Sequence, residues 1–283
     1  MYKFALVTLV ILGTALANNE SKAPKLIKVA VIDSGFDFKS KWNEKIGLSD
    51  NGYGKTVRMP KLCKKGHEDF TKYGKPKEIT DSHGHGTHVA GVIAQYAENS
   101  NYCLVILKYY HPKASGKENL KNSIKALKKA KSLNVNIINY SGGGSVFSIE
   151  EYGVVQSILD NGITLVAAAG NDYLKENIDV NQVVSGTLND NPFFFDYSKN
   201  THVFLKPTYV YYPAAIDTRV IAVQSIDKKG KLLPTSNRGM TYKYKEVGKN
   251  LISILPNNRL GKMTGTSQAT AVKTGKLIRA WKK

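Results

Sequence analysis

KLIKVAVIDSG, residues 25–35, decides how the rest of the chain is read. Leu26 to Ile32 is a nearly unbroken apolar, β-branched run. A strand apolar on both sides belongs inside a parallel sheet covered on both faces. The run ends on an acid, Asp33, with Gly35 close behind as a turn. An acid at the carboxyl end of such a strand lies where open α/β sheets gather their sites.

The same logic extends along the chain. CLVILKYY (103–110), VNIINYSGGG (135–144), ITLVAAAG (163–170) and RVIAVQSID (219–227) read as further strands. Between them, HGTHVAGVIAQYAENS (85–100) puts Val89, Val92, Ile93 and Tyr96 on one face of a helix starting near His85. KENLKNSIKALKKAKSLN (117–134) carries a stripe of Leu120, Ile124, Leu127 and Lys131, with Lys125, Lys128 and Lys129 off it. SIEEYGVVQSILDNG (148–162) reads as another helix, closed by Asn161 and Gly162. Residues 36–80 are polar, glycine- and lysine-rich, and read mostly as loop. Strands alternating with helices predict an α/β fold: a mostly parallel central sheet with helices on both faces. Asp33, Ser141 and Asn171 all fall at or just past predicted strand ends.

The whole-chain properties narrow the class. The 283 residues, 42% hydrophobic and 10% aromatic, exclude disordered, collagenous and coiled-coil chains. Residues 1–17 read as a signal peptide: Lys3 is a short positive start, Phe4 to Leu16 is apolar, and Ala15-Leu16-Ala17 has the A-x-A cleavage pattern. The apolar run is shorter than the ~20 residues a spanning helix needs. The expectation is a secreted or periplasmic protein with no stable membrane insertion after cleavage. Residues 18–283 then read as a single domain, without repeats or a linker. Export suits the two cysteines, Cys63 and Cys103, for which a disulfide is expected and two reduced thiols are the alternative. The formal charge of +19 comes from dispersed lysines, including Lys64-Lys65, Lys128-Lys129 and Lys228-Lys229. It reads as a solvated surface attracted to anionic material, and no nucleic-acid partner is expected.

Two further stretches carry chemistry. DSHGHGTHVAG (81–91) holds His83, His85 and His88, whose H-x-H-x-x-H spacing suits either a metal site or one base with two bystanders. GKMTGTSQATAVKTG (261–275) sets Gly265, Thr266 and Ser267 ahead of an alanine-rich helix. Backbone N–H groups at a helix start stabilise a developing negative oxygen, although serine is also a common cap there.

Taken in order, VAVIDSG, HGTHVAG and GTSQATA resemble the subtilisin-like serine peptidases, the subtilases. INYSGGG is similar to that family's substrate-binding strand and AAAGND to its oxyanion segment. YYPAAIDTRVIAVQSID resembles the family's stretch after the oxyanion segment. The resemblance spans about residues 26–276 and implies the subtilisin-like three-layer fold. It implies a serine endopeptidase with Asp33, His85 and Ser267 as catalytic residues and Asn171 in the oxyanion hole. Ser141, Gly142 and Gly143 would bind the substrate backbone, and Ala168, Ala169 and Gly170 would form one wall of the pocket beside the cleaved bond. His88 would pack or hydrogen-bond inside its helix, and His83 would sit in a loop near the cleft rim.

The chain also departs from the family pattern. Only about eight residues separate Ala17 from the first strand, so no pro-segment is expected there, and a trans-acting inhibitor or folding partner is a possible substitute. Ala271 stands where the family's GTS-x-A-x-P has proline, and the helix after Ser267 is expected to be short. The inserted loop that binds calcium in many relatives is lacking before Cys103, so no calcium is expected there; no cofactor or metal is expected in the chemistry. Residues 172–210 read as an aromatic-rich insertion, in which NPFFFDYSKNTHVFLKPTYVYY could form a hairpin. Two other functions compete: a non-catalytic, peptide-binding relative, and a metal-dependent hydrolase built on His83, His85 and His88.

Overall fold

The computed structural model describes residues 25–42, 49–73, 79–172, 194–196, 201–203, 211–239 and 242–281. The expected signal segment lies outside them, as does most of the 172–210 stretch. In chain order the elements are β1 (Ile27–Asp33), β2 (Glu68–Asp69), α1 (His85–Ala97), β3 (Tyr102–Lys108), α2 (Gly116–Ser132), β4 (Ile137–Tyr140), α3 (Ile149–Asp160) and β5 (Thr164–Ala168). Next come β6 (Phe194–Asp196), β7 (Thr201–Val203), β8 (Ile221–Ile226), β9 (Tyr244–Val247), β10 (Leu251–Leu255), β11 (Arg259–Met263) and α4 (Thr266–Arg279).

Seven strands form one sheet in the order β2-β3-β1-β4-β5-β8-β9, and every neighbouring pair is parallel. β1 lies inside, with β3 on one side and β4 on the other. Its alternate residues serve two cores, because successive side chains of a strand point to opposite faces. Val29 and Val31 pack with Val89, Val92 and Ile93 of α1 and Val272 of α4. Ala30 and Ile32 pack with Ala126 and Leu127 of α2 and Val155 and Ile158 of α3. Val29, Val31 and Ile32 are wholly buried, and each contributes roughly 1.5–3 kcal/mol by that burial. The result is the three-layer α/β arrangement that the sequence predicts.

The structure adds what the sequence pattern does not show. Glu68 and Asp69, within the stretch read as loop, form a short strand on the sheet edge beside β3. β9 closes the other edge, and β10 and β11 form an antiparallel hairpin. The hairpin turn places Asn257 and Asn258 at φ 62° and 56°, which asparagine tolerates better than most residues. α4 is not short: its 14 residues run along α1, and a methyl on Gly275 would lie 2.7 Å from the Ile93 carbonyl oxygen. Cys63 and Cys103 form a disulfide with Cα atoms 4.9 Å apart. Within the expected insertion, β6 and β7 pair antiparallel as a hairpin.

Candidate active site

Asp33 ends β1 and is 3% exposed. Its Oδ1 accepts from the Ser34 backbone N–H at 2.7 Å and lies 2.7 Å from His85 Nδ1. His85 is the first residue of α1. The helix start is anchored by a second buried acid, Asp81. Its Oδ1 accepts from the N–H groups of His83 and Gly84 at 3.2 and 2.8 Å and from Ser34 Oγ at 2.9 Å. Its Oδ2 accepts from the N–H and hydroxyl of Thr87 at 2.8 and 2.7 Å. Asp81 therefore ties the helix carrying His85 to the strand carrying Asp33. Sequence reasoning gave it no role, and no local pattern distinguishes it from a turn aspartate.

Burial alone would lower the His85 imidazole. The attraction and hydrogen bond of Asp33, and less so the charge of Asp81, outweigh that, and the net shift is upward. Its half-exposed ring shares a cavity of about 170 Å³ with Asp33, Tyr109, Tyr110 and Ser141.

Ser267 is the second residue of α4 and is 7% exposed. Its hydroxyl donates to the Ser141 carbonyl at 2.8 Å rather than to His85. Ser141 Oγ returns a bond to the Ser267 carbonyl at 3.2 Å and accepts from Asn139 Nδ2 at 2.8 Å. Asn171 lies against the same helix start: its Oδ1 accepts from the N–H and hydroxyl of Thr266 at 2.8 and 3.2 Å. That commitment leaves Nδ2 as its donor half. The buried Asn237 holds the turn before it, donating to the Ala169 carbonyl at 2.9 Å and accepting from Asp172 N–H at 3.0 Å. Gly170 has φ 98°, and a side chain there would collide with Asn237.

Beyond Ser141 the chain is stripped of side chains. A methyl on Gly142 would strike the Tyr109 hydroxyl, and one on Gly143 the Tyr212 carbonyl. Gly144 and Tyr212 exchange two backbone hydrogen bonds at 3.0 and 2.8 Å. Gly142 is half-buried and Gly143 exposed. Ala168 and Ala169 are buried at the end of β5, with Ala169 packed in the core on the α2–α3 face.

The three histidines do not converge. His88 is wholly buried, and its Nε2 lies 3.0 Å from the Leu251 carbonyl and 3.3 Å from that of Gly261. Burial holds its imidazole down at about 4, so it is neutral at physiological pH. His83 is exposed at the cavity rim, its ring 6.1 Å from that of His85. Among the described residues no three His, Cys, Asp or Glu groups are placed to hold a metal ion.

The parallel sheet with helices on both faces is shared with solved subtilisin-like enzymes. A structure titled as a cold adapted subtilisin-like serine proteinase matches with a TM-score of 0.60 at 21% identity, over 88% of this chain and 72% of that one. The subtilase family model matches residues 25–283, and the chain belongs to the subtilase family of serine proteases. It is 30% identical to the "Major intracellular serine protease" of Bacillus subtilis over 264 residues, 89% of this chain and 67% of that one. It is also 30% identical to "Subtilisin-like protease 2" of Plasmodium falciparum, covering 87% of this chain but 16% of that protein.

Proposed function

We propose that this subtilase is an exported serine endopeptidase in which Asp33, His85 and Ser267 cleave peptide bonds. The observation that carries the reading is the 2.7 Å contact of His85 Nδ1 with Asp33 Oδ1, together with Ser267 at the start of α4. Asp33 holds the imidazole with its proton on Nδ1, leaving Nε2 as the base. For this the Ser267 hydroxyl exchanges its bond to the Ser141 carbonyl for one to His85. The hydroxyl oxygen then attacks the substrate carbonyl, and His85 passes the proton to the leaving amine. Asn171 Nδ2 and the Ser267 N–H, at the positive end of α4, receive the oxyanion. Gly142 and Gly143 accept an extended peptide as an added strand. Export is supported by the N-terminal pattern and by the disulfide; among the described residues no helix is long and apolar enough to cross a membrane.

A serine-directed fluorophosphonate tests this. Labelling that vanishes in Ser267→Ala, persists in EDTA and parallels peptide cleavage is the expected result. The second reading, a relative that binds peptides without turnover, is favoured by one observation: the Ser267 hydroxyl donates to Ser141. Peptide binding without label or cleavage would select it.

A further inference from the structure

A second cavity, of about 370 Å³, lies beside the one that holds His85. His83 lines both, and they share no other residue. The walls of the second are the loop 37–39, the turn 80–84 that leads into α1, and the tip of the β10–β11 hairpin. Those walls are fastened to one another. Asn257 N–H donates to Asp37 Oδ2 at 2.9 Å, and Asn258 N–H to Ser40 Oγ at 3.0 Å. Pro256 packs over Gly84, where a methyl would lie 3.3 Å from the proline Cδ. A recess with walls held in this way is formed before any ligand arrives, which lowers the ordering cost of binding.

The acids and the cations of this cavity stand in different states. Asp37 and Asp81 are buried. Asp37 accepts from the N–H groups of Lys39 and Ser40 at 2.9 and 3.3 Å, from the Ser40 hydroxyl and from Asn257. Asp81 accepts the bonds already described from Ser34, His83, Gly84 and Thr87. A carboxylate has about four acceptor sites, so neither acid has capacity left for a cation entering the cavity. Lys39 and Arg259 are exposed, and among the described residues neither forms an ion pair. Arg259 Nε donates to the Pro256 carbonyl at 3.2 Å, which leaves the terminal guanidinium nitrogens and the Lys39 ammonium as open donors. Filled acceptors beside open cationic donors are the chemistry that receives a carboxylate.

We propose that this cavity, through Lys39 and Arg259, selects peptide substrates carrying glutamate or aspartate on the far side of the cleaved bond from the residues that pair with Gly142 and Gly143. This rests on reading Ser267 as the nucleophile and the glycine strand as the partner of substrate. Ser267 is tied on one side to Ser141, at the head of that strand. The next residue, Gln268, reaches Met263 Sδ at 3.7 Å, and Met263 lines the second cavity. An extended peptide that leaves the glycine strand and crosses Ser267 comes next to the Met263 end of that cavity. Its side chains alternate in direction every ~3.3 Å, so one position within the first few past the bond faces the cations.

The test uses fluorogenic peptides in which each position on both sides of the bond carries glutamate, glutamine or lysine in turn. Their C-termini are amidated, so that the side chain is the carboxylate being read. At one position on the far side, kcat/KM for glutamate exceeds that for glutamine by about three- to tenfold, the range that two partly exposed ion contacts allow. The ratio collapses toward one when Lys39→Gln and Arg259→Gln are combined. Both positions are exposed, and the ratio is taken within each enzyme, so a partly folded variant lowers both rates and leaves it readable. Added salt shrinks the wild-type ratio by screening and leaves that of the double variant flat. Binding of the same peptides to Ser267→Ala, read by fluorescence polarisation, reports the ratio without turnover. An acid preference indifferent to the double substitution, one confined to the strand side of the bond, or none at any position overturns the proposal and leaves proteolysis standing. Cleavage that survives Ser267→Ala strikes the catalytic reading instead.

Discussion

Gly86 abuts Gly35 so closely that a methyl on Gly86 would collide with the Gly35 carbonyl oxygen and lie 3.2 Å from the Asp33 Cβ. The same residue donates its N–H to Ser34 Oγ at 2.9 Å. The glycine after His85 is therefore a condition of bringing the imidazole to Asp33, because both obstacles belong to β1 or the turn behind it. Gly86→Ala is expected to push the start of α1 outward. Overpacking of this kind costs about 1–3 kcal/mol, and a displacement near 1 Å at a reacting group costs about 10²-fold in rate. Thermal melting and kcat/KM measured side by side check this; a stable variant with full activity would refute it.

The pH dependence comes from the direction of the His85 shift. Its raised value means that the protonated form persists above the ordinary 6.5. In the proposed mechanism only the neutral ring takes the Ser267 proton, so kcat/KM is expected to fall as pH drops through a value above 6.5. The stabilising attraction to Asp33 has the opposite dependence: it is complete below 6.5 and fades as pH rises through the folded value. Asp33→Asn removes the main raising influence, so the acid limb of the pH–rate profile moves down while the rate falls. An unmoved limb would mean that another group governs it.

In the proposed mechanism, Asn171→Ala removes the side-chain donor to the oxyanion. In subtilisin, a member of this family, loss of one such donor lowers kcat by about 10²–10³, and that established case sets the expectation here. The substitution also frees the Thr266 N–H that Asn171 Oδ1 accepts. Asn171→Asp, which keeps that acceptor and loses the donor, separates the two effects. Activity near wild type in Asn171→Asp would exclude the donor role.

The disulfide closes a sequence separation of 40 residues. Chain-entropy reasoning for a loop of that length gives about 4 kcal/mol of stabilisation. Replacing Cys63 and Cys103 together by serine is expected to lower the urea midpoint by a matching amount. Reductant should do the same to the wild type and nothing to the double variant.

Glu151, buried in the first turn of α3, makes a prediction about stability. Its folded-state value of about 7 lies above the ordinary 4.5. Its penalty is therefore absent at low pH and grows as pH rises from about 4.5 through 7, reaching about 3 kcal/mol. Glu151→Gln should gain stability over the wild type at pH 8 and little at pH 5, as measured by denaturant unfolding at both values. Equal effects at the two pH values would show that the carboxyl does not carry this shift.

Much of this architecture could be read directly from the chain. β1 announces itself because a strand buried on both faces has no polar alternation to dilute its apolar run. α1 and α2 emerge from their apolar stripes, and Asn161 with Gly162 marks the end of α3. The β10–β11 hairpin escaped notice: LISIL is short and RLGKM is mostly exposed, so neither has a marked period. Its importance comes from α1, since Leu251 receives His88 and Ser253 Oγ donates to the His88 carbonyl at 2.9 Å. Glu151 did leave a trace. It lies four residues before Val155 and seven before Ile158, on the stripe that turns inward, whereas its neighbour Glu150 is exposed. Asn237 left none, because its partners around Gly170 are more than sixty residues away.

Local order along the chain was enough to say which segments are strands or helices and which of their ends bear an acid, an imidazole and a hydroxyl. The reason is that the periodicity of burial is a relation between near neighbours. The contacts that give those groups meaning join residues 52 apart for Asp33 and His85, and 126 apart for Ser141 and Ser267. Only the packed molecule brought them together, through the Asp81 bonds, the glycines that let backbones touch, and the order of strands in the sheet. The same packing left the Glu151 carboxylate without a donor among the described residues, since whether a polar group finds a partner depends on everything folded around it.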